Sequence, residues 1–457
     1  MGIRREARQR HRSGELRLSL EYFEGPAGSG KTYQLIKALE TFLAGRPLAE
    51  GEAVLGLTYM HGSRRRMQNQ LAKMPILRGR FLACTVDSLA RRVVCRWRTL
   101  AKDLEPKLNL MVSADFTIIC RAAALAIAKE SVSSWLKLRY PVVVVDELQD
   151  CKGDQLYLIQ AMEACCHVIA AADEFQDLQQ TAPGAAVEWL HAGPGKKNIL
   201  SGNRRTNETS LLQAADRLRA SQDCGDILQK ALMSALNANV AAGHIARTIC
   251  WKKPKDAVIL TPTGQDKSQF VRDVVTRLTS KSIKPKGINK DVGPFRVIWE
   301  SNVEEDKAAL LKKIACSAQG IALTELRQLC ANDRGALGDV YQWAEKKWRI
   351  KGQAHFLEGE LKTMVERTLH SRRAFLPTAC LGSIRAMTIN QAKNREFEGV
   401  IVLWPFAVGG DLDSQRRRLY NALTRARKWA VVIVQDTPQK ASRLSAPPFS
   451  KSSKLRS

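Results

Sequence analysis

The segment Gly25-Pro-Ala-Gly-Ser-Gly-Lys31-Thr32 decides the fold of this chain. It matches the phosphate-loop pattern GxxxxGK[ST] at every fixed position, follows a short segment, Leu20–Glu24, and opens the amphipathic stretch TYQLIKALETFL. In such a strand–loop–helix unit the glycines let backbone N–H groups turn toward a phosphate, and the helix N-terminus adds a favourable dipole. The pattern predicts a nucleotide site with Lys31 on the β- and γ-phosphates and the Thr32 hydroxyl on a magnesium ion. The predicted phosphate-binding residues are Gly25, Pro26, Ala27, Gly28, Ser29, Gly30, Lys31 and Thr32.

A second motif, PVVVVDELQD at Pro141–Asp150, has the pattern of a buried strand that ends in two carboxylates. At the end of such a strand Asp146 is placed to hold the magnesium ion through water, and Glu147 is placed to take a proton from the attacking water. Together the two motifs predict a magnesium-dependent NTP hydrolase. They do not say what the energy of hydrolysis drives.

The composition narrows the class of partner. The chain has 457 residues, and 72 Lys plus Arg against 45 Asp plus Glu give a formal net charge of +27. This excess makes a polyanion the first partner to test, with nucleic acid ahead of an anionic membrane surface. No apolar run reaches the length of a membrane span, and the charged N-terminus lacks the apolar core of a signal peptide. The 11 Cys are scattered without metal-site spacing, which predicts reduced thiols in a cytoplasmic, nucleoid-associated protein.

Short apolar runs separated by helical stretches occur in two series along the chain. Continuous apolar strands that alternate with helices are typical of parallel sheets covered on both faces, so an α/β fold with two such domains is predicted. The runs are Ala53–Tyr59, Phe81–Val86, Val142–Val145, Val168–Ala172, Ala257–Thr261, Ile384–Ile389, Val400–Trp404 and Ala430–Val434. The predicted domains are 18–199 and 200–437, with short helical insertions at 89–140 and 264–383. Basic tails are predicted at 1–17 and 438–457, the second of them disordered.

Six segments after the phosphate loop follow a recognisable order. They are LTYMHGSRRRM (Leu57–Met67), DELQD (Asp146–Asp150), ADEFQ (Ala172–Gln176), LSGNRRT (Leu200–Thr206), TINQAKNREF (Thr388–Phe397) and LYNALTRA (Leu419–Ala426). In this order they resemble the motifs of UvrD/Rep-like superfamily 1 DNA helicases. The resemblance runs from the phosphate loop to residue 426, and the two insertions are shorter than the family usually carries.

The resemblance implies two RecA-like P-loop domains, with ATP and Mg²⁺ in the cleft between them and single-stranded nucleic acid across their tops. Gln176 then corresponds to the glutamine that senses the γ-phosphate. Arg205 and Arg425 correspond to arginines that reach the γ-phosphate from the second domain and stabilise charge in the transition state. Glu396 corresponds to a glutamate near the ribose.

The same resemblance implies a set of nucleic-acid contacts. Tyr59 is placed as a base-stacking aromatic, and Arg64 and Arg65 follow it where a phosphate track is expected. The family's usual stacking tryptophan has no match here, and Arg204 stands where an aromatic usually stacks on the nucleotide base. Ser13–Tyr22 offers no glutamine to read adenine, and Gln9 lies too far into the Arg-rich tail, so a loose nucleotide preference is predicted. The implied nucleic-acid residues are Thr58, Tyr59, Arg64, Arg65, Thr85 and Thr388.

Two functions stay open at this point. The first is an ATP-dependent helicase or translocase on single-stranded DNA or 3′-tailed DNA, with the 3′-to-5′ polarity that the resemblance implies. The second is a nucleic-acid-stimulated ATPase that acts as an ATP-gated DNA- or RNA-binding switch, with protein partners in a repair or phage-defence complex. The intact hydrolytic motifs favour the first function, and the missing stacking residues favour the second.

Overall fold

The fold is described from a computed structural model. It describes residues 20–59, 61–108, 116–178, 184–300, 303–314, 320–330, 335–374, 383–437 and 443–451. The predicted basic tail at 1–17 lies outside these residues. No helix of the described ranges is long and apolar enough to cross a membrane.

Strands and helices alternate along most of the chain. The strands are β1 (Leu20–Glu24), β2 (Val54–Thr58), β3 (Phe81–Thr85), β4 (Val142–Asp146), β5 (His167–Ala172), β6 (Lys196–Ile199), β7 (Leu232–Ala235), β8 (Ala257–Thr261), β9 (Arg296–Trp299), β10 (Ile321–Ala322), β11 (His355–Phe356), β12 (Ser383–Thr388), β13 (Phe397–Trp404) and β14 (Ala426–Gln435). The helices are α1 (Lys31–Gly45), α2 (His61–Ala72), α3 (Val86–Arg96), α4 (Arg98–Leu104), α5 (Phe116–Ile127), α6 (Glu130–Arg139), α7 (Asp154–Glu163), α8 (Ala185–Ala192), α9 (Thr209–Arg219), α10 (Gly225–Leu228), α11 (Ala238–Lys252), α12 (Gln269–Ser280), α13 (Val303–Ile314), α14 (Leu323–Cys330), α15 (Ala336–Lys351), α16 (Glu358–Ala374) and α17 (Leu412–Leu423).

The strands form two six-stranded sheets in which every neighbouring pair is parallel. The first sheet has the order β3-β2-β4-β5-β1-β6, and the second has the order β7-β14-β13-β8-β12-β9. The centre of the first sheet is β4, whose Val142–Val145 run is fully buried, as expected for a strand with helices on both faces. The prediction of two parallel-sheet domains of the RecA-like type is confirmed.

The eight predicted strands are all present, and the sequence missed the short β10–β11 ribbon and, in the two six-stranded sheets, β6, β7 and β9. Each of these three lies at an edge of its sheet. An edge strand is less buried than a central one, so it needs no continuous apolar run. The sequence of β6, KKNI, is mostly exposed and carries no such run.

The described residues divide into two compact units. The larger unit, which contains both sheets, is formed by the described residues of 20–85, 130–300 and 383–451. The smaller unit is formed by the described residues of 86–129 and 303–374. The predicted insertions at 89–140 and 264–383 also include α6, α12 and β9, which belong to the larger unit, where β9 is an edge strand of the second sheet. Within the smaller unit α13 to α16 and the β10–β11 ribbon surround an apolar core that includes Leu326, Val340 and Phe356.

The predicted disordered tail at 438–457 needs a correction for its described part, residues 443–451. Phe449 is only 2% exposed and meets the Trp404 ring edge-on, with the ring centroids 5.8 Å apart. The backbone N–H groups of Cys224 and Gly225 donate to the carbonyls of Pro448 and Phe449 at 3.1 and 2.6 Å. A single aromatic side chain therefore anchors this Pro/Ser-rich segment to the core of the second domain.

Candidate nucleotide and nucleic-acid site

The phosphate loop joins the end of β1 to the start of α1. Gly28 and Gly30 have φ values of 83° and 90°, a left-handed backbone that glycine adopts without the strain of a side chain. A Cβ atom at Gly28 would also lie 2.5 Å from the Asn203 side-chain oxygen. The two glycines therefore allow both the turn of the loop and the close approach of Asn203, whose Nδ2 donates to the Ala27 carbonyl at 3.0 Å.

The Lys31 ammonium is buried beneath the loop. It donates to the carbonyl oxygens of Gly25 and Pro26 at 2.8 and 3.0 Å and to Asp173 Oδ2 at 3.3 Å. The Thr32 hydroxyl donates to Asp146 Oδ2 at 3.0 Å, which brings together the two predicted magnesium ligands. Two protein oxygens suit magnesium, which usually keeps its other positions for phosphate and water.

The loop and its neighbours fit a magnesium nucleotide. The Ser29 hydroxyl is buried and has no hydrogen-bond partner among the described residues. A buried polar atom without a partner is costly, so a ligand oxygen at the loop would satisfy it. Lys31 and Thr32 would hold the phosphates and the metal, with Asp146 as the acidic metal ligand.

The two carboxylates that follow β4 have different surroundings. Burial and, second, the neighbouring Glu147 charge raise the pKa of Asp146 to about 6. Glu147 has a φ of 58°, which is uncommon for a residue with a long side chain. Its Oε2 accepts a 2.6 Å hydrogen bond from Gln149 Nε2, and Gln149 Oε1 accepts one from the Asp173 N–H at 2.9 Å. Gln149 therefore fixes the Glu147 side chain relative to Asp173, which follows the C-terminal end of β5.

Asp173 joins residues of both domains, and sequence reasoning gave it no role. Its fully buried carboxylate accepts hydrogen bonds from Gln176 Nε2 and Arg219 Nη1, both at 2.7 Å, in addition to that from Lys31. Burial would raise the pKa of Asp173, but Lys31 and Arg219 outweigh it and hold this pKa below its usual value. Arg219 belongs to no motif, so no sequence signal could have found it.

Tyr420 is a second residue that sequence reasoning missed. Its hydroxyl accepts a 2.8 Å hydrogen bond from the Ala27 N–H of the phosphate loop and lies 3.5 Å from Asp173 Oδ2. Its ring meets the Phe175 ring edge-on at 5.0 Å. Tyr420 lies on α17 of the second domain, so the second domain contacts the phosphate loop directly.

The two predicted arginines occupy different positions at the domain boundary. Arg425 is 2% exposed, and its Nη2 donates to Gln176 Oε1 at 3.1 Å. Burial lowers its pKa to about 10, and the charge of Arg205 contributes. Arg205 donates to Glu396 Oε1 at 3.0 Å and to the Thr424 carbonyl at 2.7 Å. A continuous set of contacts thus runs from Lys31 to Arg425, and Arg205 lies beside the predicted ribose residue.

Two residues of the TINQAKNREF segment bind the first domain. Lys393 Nζ donates to Asp150 Oδ1 at 2.8 Å, and both side chains are largely buried. Asn394 Nδ2 donates to Ser63 Oγ at 2.6 Å, and its carbonyl accepts a 2.5 Å hydrogen bond from Arg66. Asn394 has a φ of 62°, a left-handed backbone that asparagine adopts more readily than most residues with a side chain.

An aromatic–guanidinium pair lies beside the phosphate loop. The Arg204 guanidinium lies over the Tyr33 ring at 5.4 Å, and Tyr33, which follows Thr32, is 60% exposed. The Arg204 N–H donates to the Gly28 carbonyl at 2.7 Å. A cavity of about 310 Å³ adjoins the pair and is lined by Arg204, Arg205, Thr206, Asn207, Glu208, Arg427 and Lys428.

The predicted nucleic-acid residues lie at or just after the C-terminal ends of β2, β3 and β12. Thr58 and Thr85 are buried, and the Thr388 hydroxyl donates to Gln391 Oε1 at 3.0 Å. Tyr59 is 39% exposed, and Arg64 and Arg65 are exposed on α2. The exposed surface that follows β2 is therefore formed by Tyr59 and the two arginines, and the threonine side chains do not contribute to it.

Comparison with known proteins confirms the resemblance to UvrD-like helicases. Residues 383–433, from β12 into β14, match the family model "UvrD-like helicase C-terminal domain". Two solved structures, Arterivirus nonstructural protein 10 (helicase) and its complex with DNA, align with 92% of this chain at 11% and 12% identity, with TM-scores of 0.36 and 0.35. The chain spans 60% and 61% of the length of those proteins. Scores this low carry no argument about function. No curated protein sequence matches the chain at a significant level.

Proposed function

We propose that this chain is an ATP-dependent helicase or translocase that hydrolyses ATP in the cleft between its two sheets and moves 3′-to-5′ along single-stranded DNA. The observation that carries the proposal is the contact between Arg425 and Gln176 across that cleft. An arginine that reaches the γ-phosphate side of a nucleotide site from a second domain links hydrolysis to the position of that domain. The match of the second domain to UvrD-like helicases supports the same reading.

Each residue of the site has one task in this proposal. Lys31 and the loop N–H groups hold the phosphates, and Thr32 and Asp146 orient the metal. Magnesium, when bound, neutralises charge on the phosphate oxygens. Glu147, held by Gln149 at 2.6 Å, takes a proton from the attacking water.

Gln176 and Arg425 lie in contact, so they are placed to act together on the charge that develops in the transition state. Arg205 approaches from the same domain as Arg425, and its 3.0 Å bond to Glu396 orients it. Because both arginines come from the second domain, opening of the cleft would withdraw them. Hydrolysis in this scheme requires a closed cleft, and product release allows reopening.

A loose nucleotide preference also follows from the site. Tyr33 and Arg204 offer flat faces on which any base can stack, since every base has a π-face. A base-reading glutamine is missing from the sequence that precedes the phosphate loop. ATP is the proposed substrate, with other NTPs accepted at comparable efficiency.

The alternative function, an ATP-gated DNA- or RNA-binding switch, is favoured by one observation. Of the predicted contacts that end β2 and β3, Thr58 and Thr85 are buried and Tyr59 is 39% exposed, so Tyr59 is the predicted contact there that a base can reach. A protein that stacks on few bases would bind nucleic acid mainly through its phosphates, and its affinity for nucleic acid would fall steeply as the salt concentration rises. Strand displacement separates the two functions, since a switch hydrolyses ATP without unwinding.

The first experiment measures ATP hydrolysis with and without single-stranded DNA. We expect stimulation by DNA, and we expect Arg425→Ala to lower kcat by about 10³-fold, the effect typical of an arginine that acts in the transition state. Lys31→Ala and Glu147→Gln serve as inactive references. Hydrolysis that no DNA or RNA stimulates contradicts the motor, and unwinding of a 5′-tailed but not a 3′-tailed duplex contradicts the polarity.

A further inference from the structure

The Asp173 carboxylate is shared between two cations. Its Oδ1 accepts a hydrogen bond from Arg219 Nη1 at 2.7 Å, and its Oδ2 accepts one from Lys31 Nζ at 3.3 Å. Asp173 is fully buried, so solvent screens neither interaction strongly. The shorter distance belongs to Arg219, which makes it the closer ion-pair partner.

The two cations belong to different domains. Lys31 lies at the start of α1 beside the first sheet, and Arg219 is the last residue of α9. Leu211, Ala214 and Leu218 of α9 are buried in the core of the second domain, so Arg219 moves with that domain. Its guanidinium also lies 5.9 Å from the Phe175 ring centroid, close to the Tyr420 ring.

From this sharing we infer that Arg219 is a positioning residue that sets the availability of Lys31 for nucleotide phosphates. A carboxylate that two cations share holds each of them less tightly than a carboxylate with one cation. With Arg219 in place, Asp173 is neutralised and the Lys31 ammonium can turn to a phosphate. Without Arg219, Asp173 retains Lys31 and competes with the nucleotide. The inference rests on the proposed nucleotide site and adds a route by which closure of the second domain raises nucleotide affinity.

The contacts of Lys31 give the competition its physical basis. Two of its three hydrogen bonds go to neutral carbonyls of the loop, and the third goes to Asp173. Asp173 is therefore the partner of Lys31 whose attraction depends on a second cation, Arg219. A nucleic acid that holds the two domains together would tighten nucleotide binding through the same pair.

The test compares Arg219→Gln and Arg219→Lys in the full chain, with Arg217→Met as the control. Arg217 is an exposed arginine on the same helix that has no carboxylate partner among the described residues. The measurements are the Kd of a fluorescent ATP analogue with and without single-stranded DNA, and the KM and kcat of hydrolysis. We expect Arg219→Gln to weaken nucleotide binding and raise KM by about tenfold, a size typical of coupling between sites. Its kcat at saturating ATP should change less, and Arg219→Lys should retain most of the affinity.

Adding Asp173→Asn provides the decisive comparison. A neutral amide cannot hold Lys31 as an ion pair, so Arg219→Gln combined with Asp173→Asn should recover most of the nucleotide affinity. Independent losses for the two substitutions, or an unchanged Kd in Arg219→Gln, overturn the inference. A nucleotide affinity that Lys31→Ala leaves unchanged contradicts the proposed site itself, so the two failures are distinguishable.

Discussion

Asn394 offers a test in which two physical effects can be separated. Its backbone is left-handed, with φ 62°, a conformation that costs most residues with a side chain about 1–2 kcal/mol and that asparagine tolerates better. Its Nδ2 also donates a 2.6 Å hydrogen bond to Ser63 Oγ in the first domain. Alanine at this position would lose the bond and keep the backbone cost. Glycine would lose the bond and remove the backbone cost.

The expected changes follow from these two contributions. Loss of the hydrogen bond costs about 1 kcal/mol net, and an alanine side chain in the left-handed region adds about 1 kcal/mol. Asn394→Ala should therefore lower the free energy of unfolding by about 2 kcal/mol. In Asn394→Gly the backbone relief offsets most of the lost bond, so the net change should lie near zero.

The assay is urea unfolding of both variants beside Ser63→Ala and the double variant Ser63→Ala/Asn394→Ala. Ser63→Ala removes the same bond without changing the backbone at residue 394, so the two substitutions should be non-additive by about 1 kcal/mol. Equal losses for Asn394→Ala and Asn394→Gly would refute the backbone argument. Strict additivity with Ser63→Ala would refute the interdomain hydrogen bond.

Other variants test further parts of the structure. Lys393→Met leaves the buried Asp150 without its cation and should cost about 3 kcal/mol at pH 8, measured by urea unfolding. Burial raises the pKa of Asp150 above its ordinary value, to about 6, despite Lys393. The native state therefore binds a proton at Asp150 more tightly than the unfolded chain does, and the stability that this proton contributes at low pH is lost as the pH rises through 6. Asp150→Asn should remove up to about 1.4 kcal/mol per pH unit of that dependence between pH 4 and 6, and an unchanged slope would contradict it. Tyr33→Ala should raise KM for ATP, GTP, CTP and UTP alike by about tenfold at constant kcat, whereas an effect on ATP alone would argue against a shared stacking face. Phe449→Ala should cost about 3 kcal/mol, and a loss under about 1 kcal/mol would show that residues 443–451 do not anchor to the core.

The fold was predictable where one local pattern dictates one structure. The phosphate loop requires glycines at fixed places, and a strand covered on both faces requires a continuous apolar run such as Val142–Val145. The missed strands are edges, where burial is partial and the apolar pattern is lost. The packed segment around Phe449 escaped notice because one aromatic in a Pro/Ser-rich stretch has no periodicity.

The candidate site was predictable in its motifs and unpredictable in the contacts between them. Asp173 lies in a recognisable segment, yet its role depends on Arg219, whose position is set by the packing of α9 and not by any neighbouring residue. The same holds for Tyr420, whose importance is its 2.8 Å contact with the Ala27 N–H. Sequence patterns identify local structure, and pairings of residues 46 or 393 positions apart, such as these two, come only from the folded chain.

The packing of residues 448–450 has a consequence for the position of Arg219. The turn that follows α9 is held by this segment, through the backbone of Cys224 and Gly225 and through the Ser450 hydroxyl, which donates to Asp223 Oδ2 at 2.5 Å. Arg219 precedes that turn by only four residues. Displacement of residues 448–450 would remove these hydrogen bonds from the turn after α9. The C-terminal end of α9, and with it the position of Arg219, would then be less well fixed. Weakening of the contacts of residues 448–450 is therefore expected to lower nucleotide affinity through Arg219, although none of these residues touches the phosphate loop.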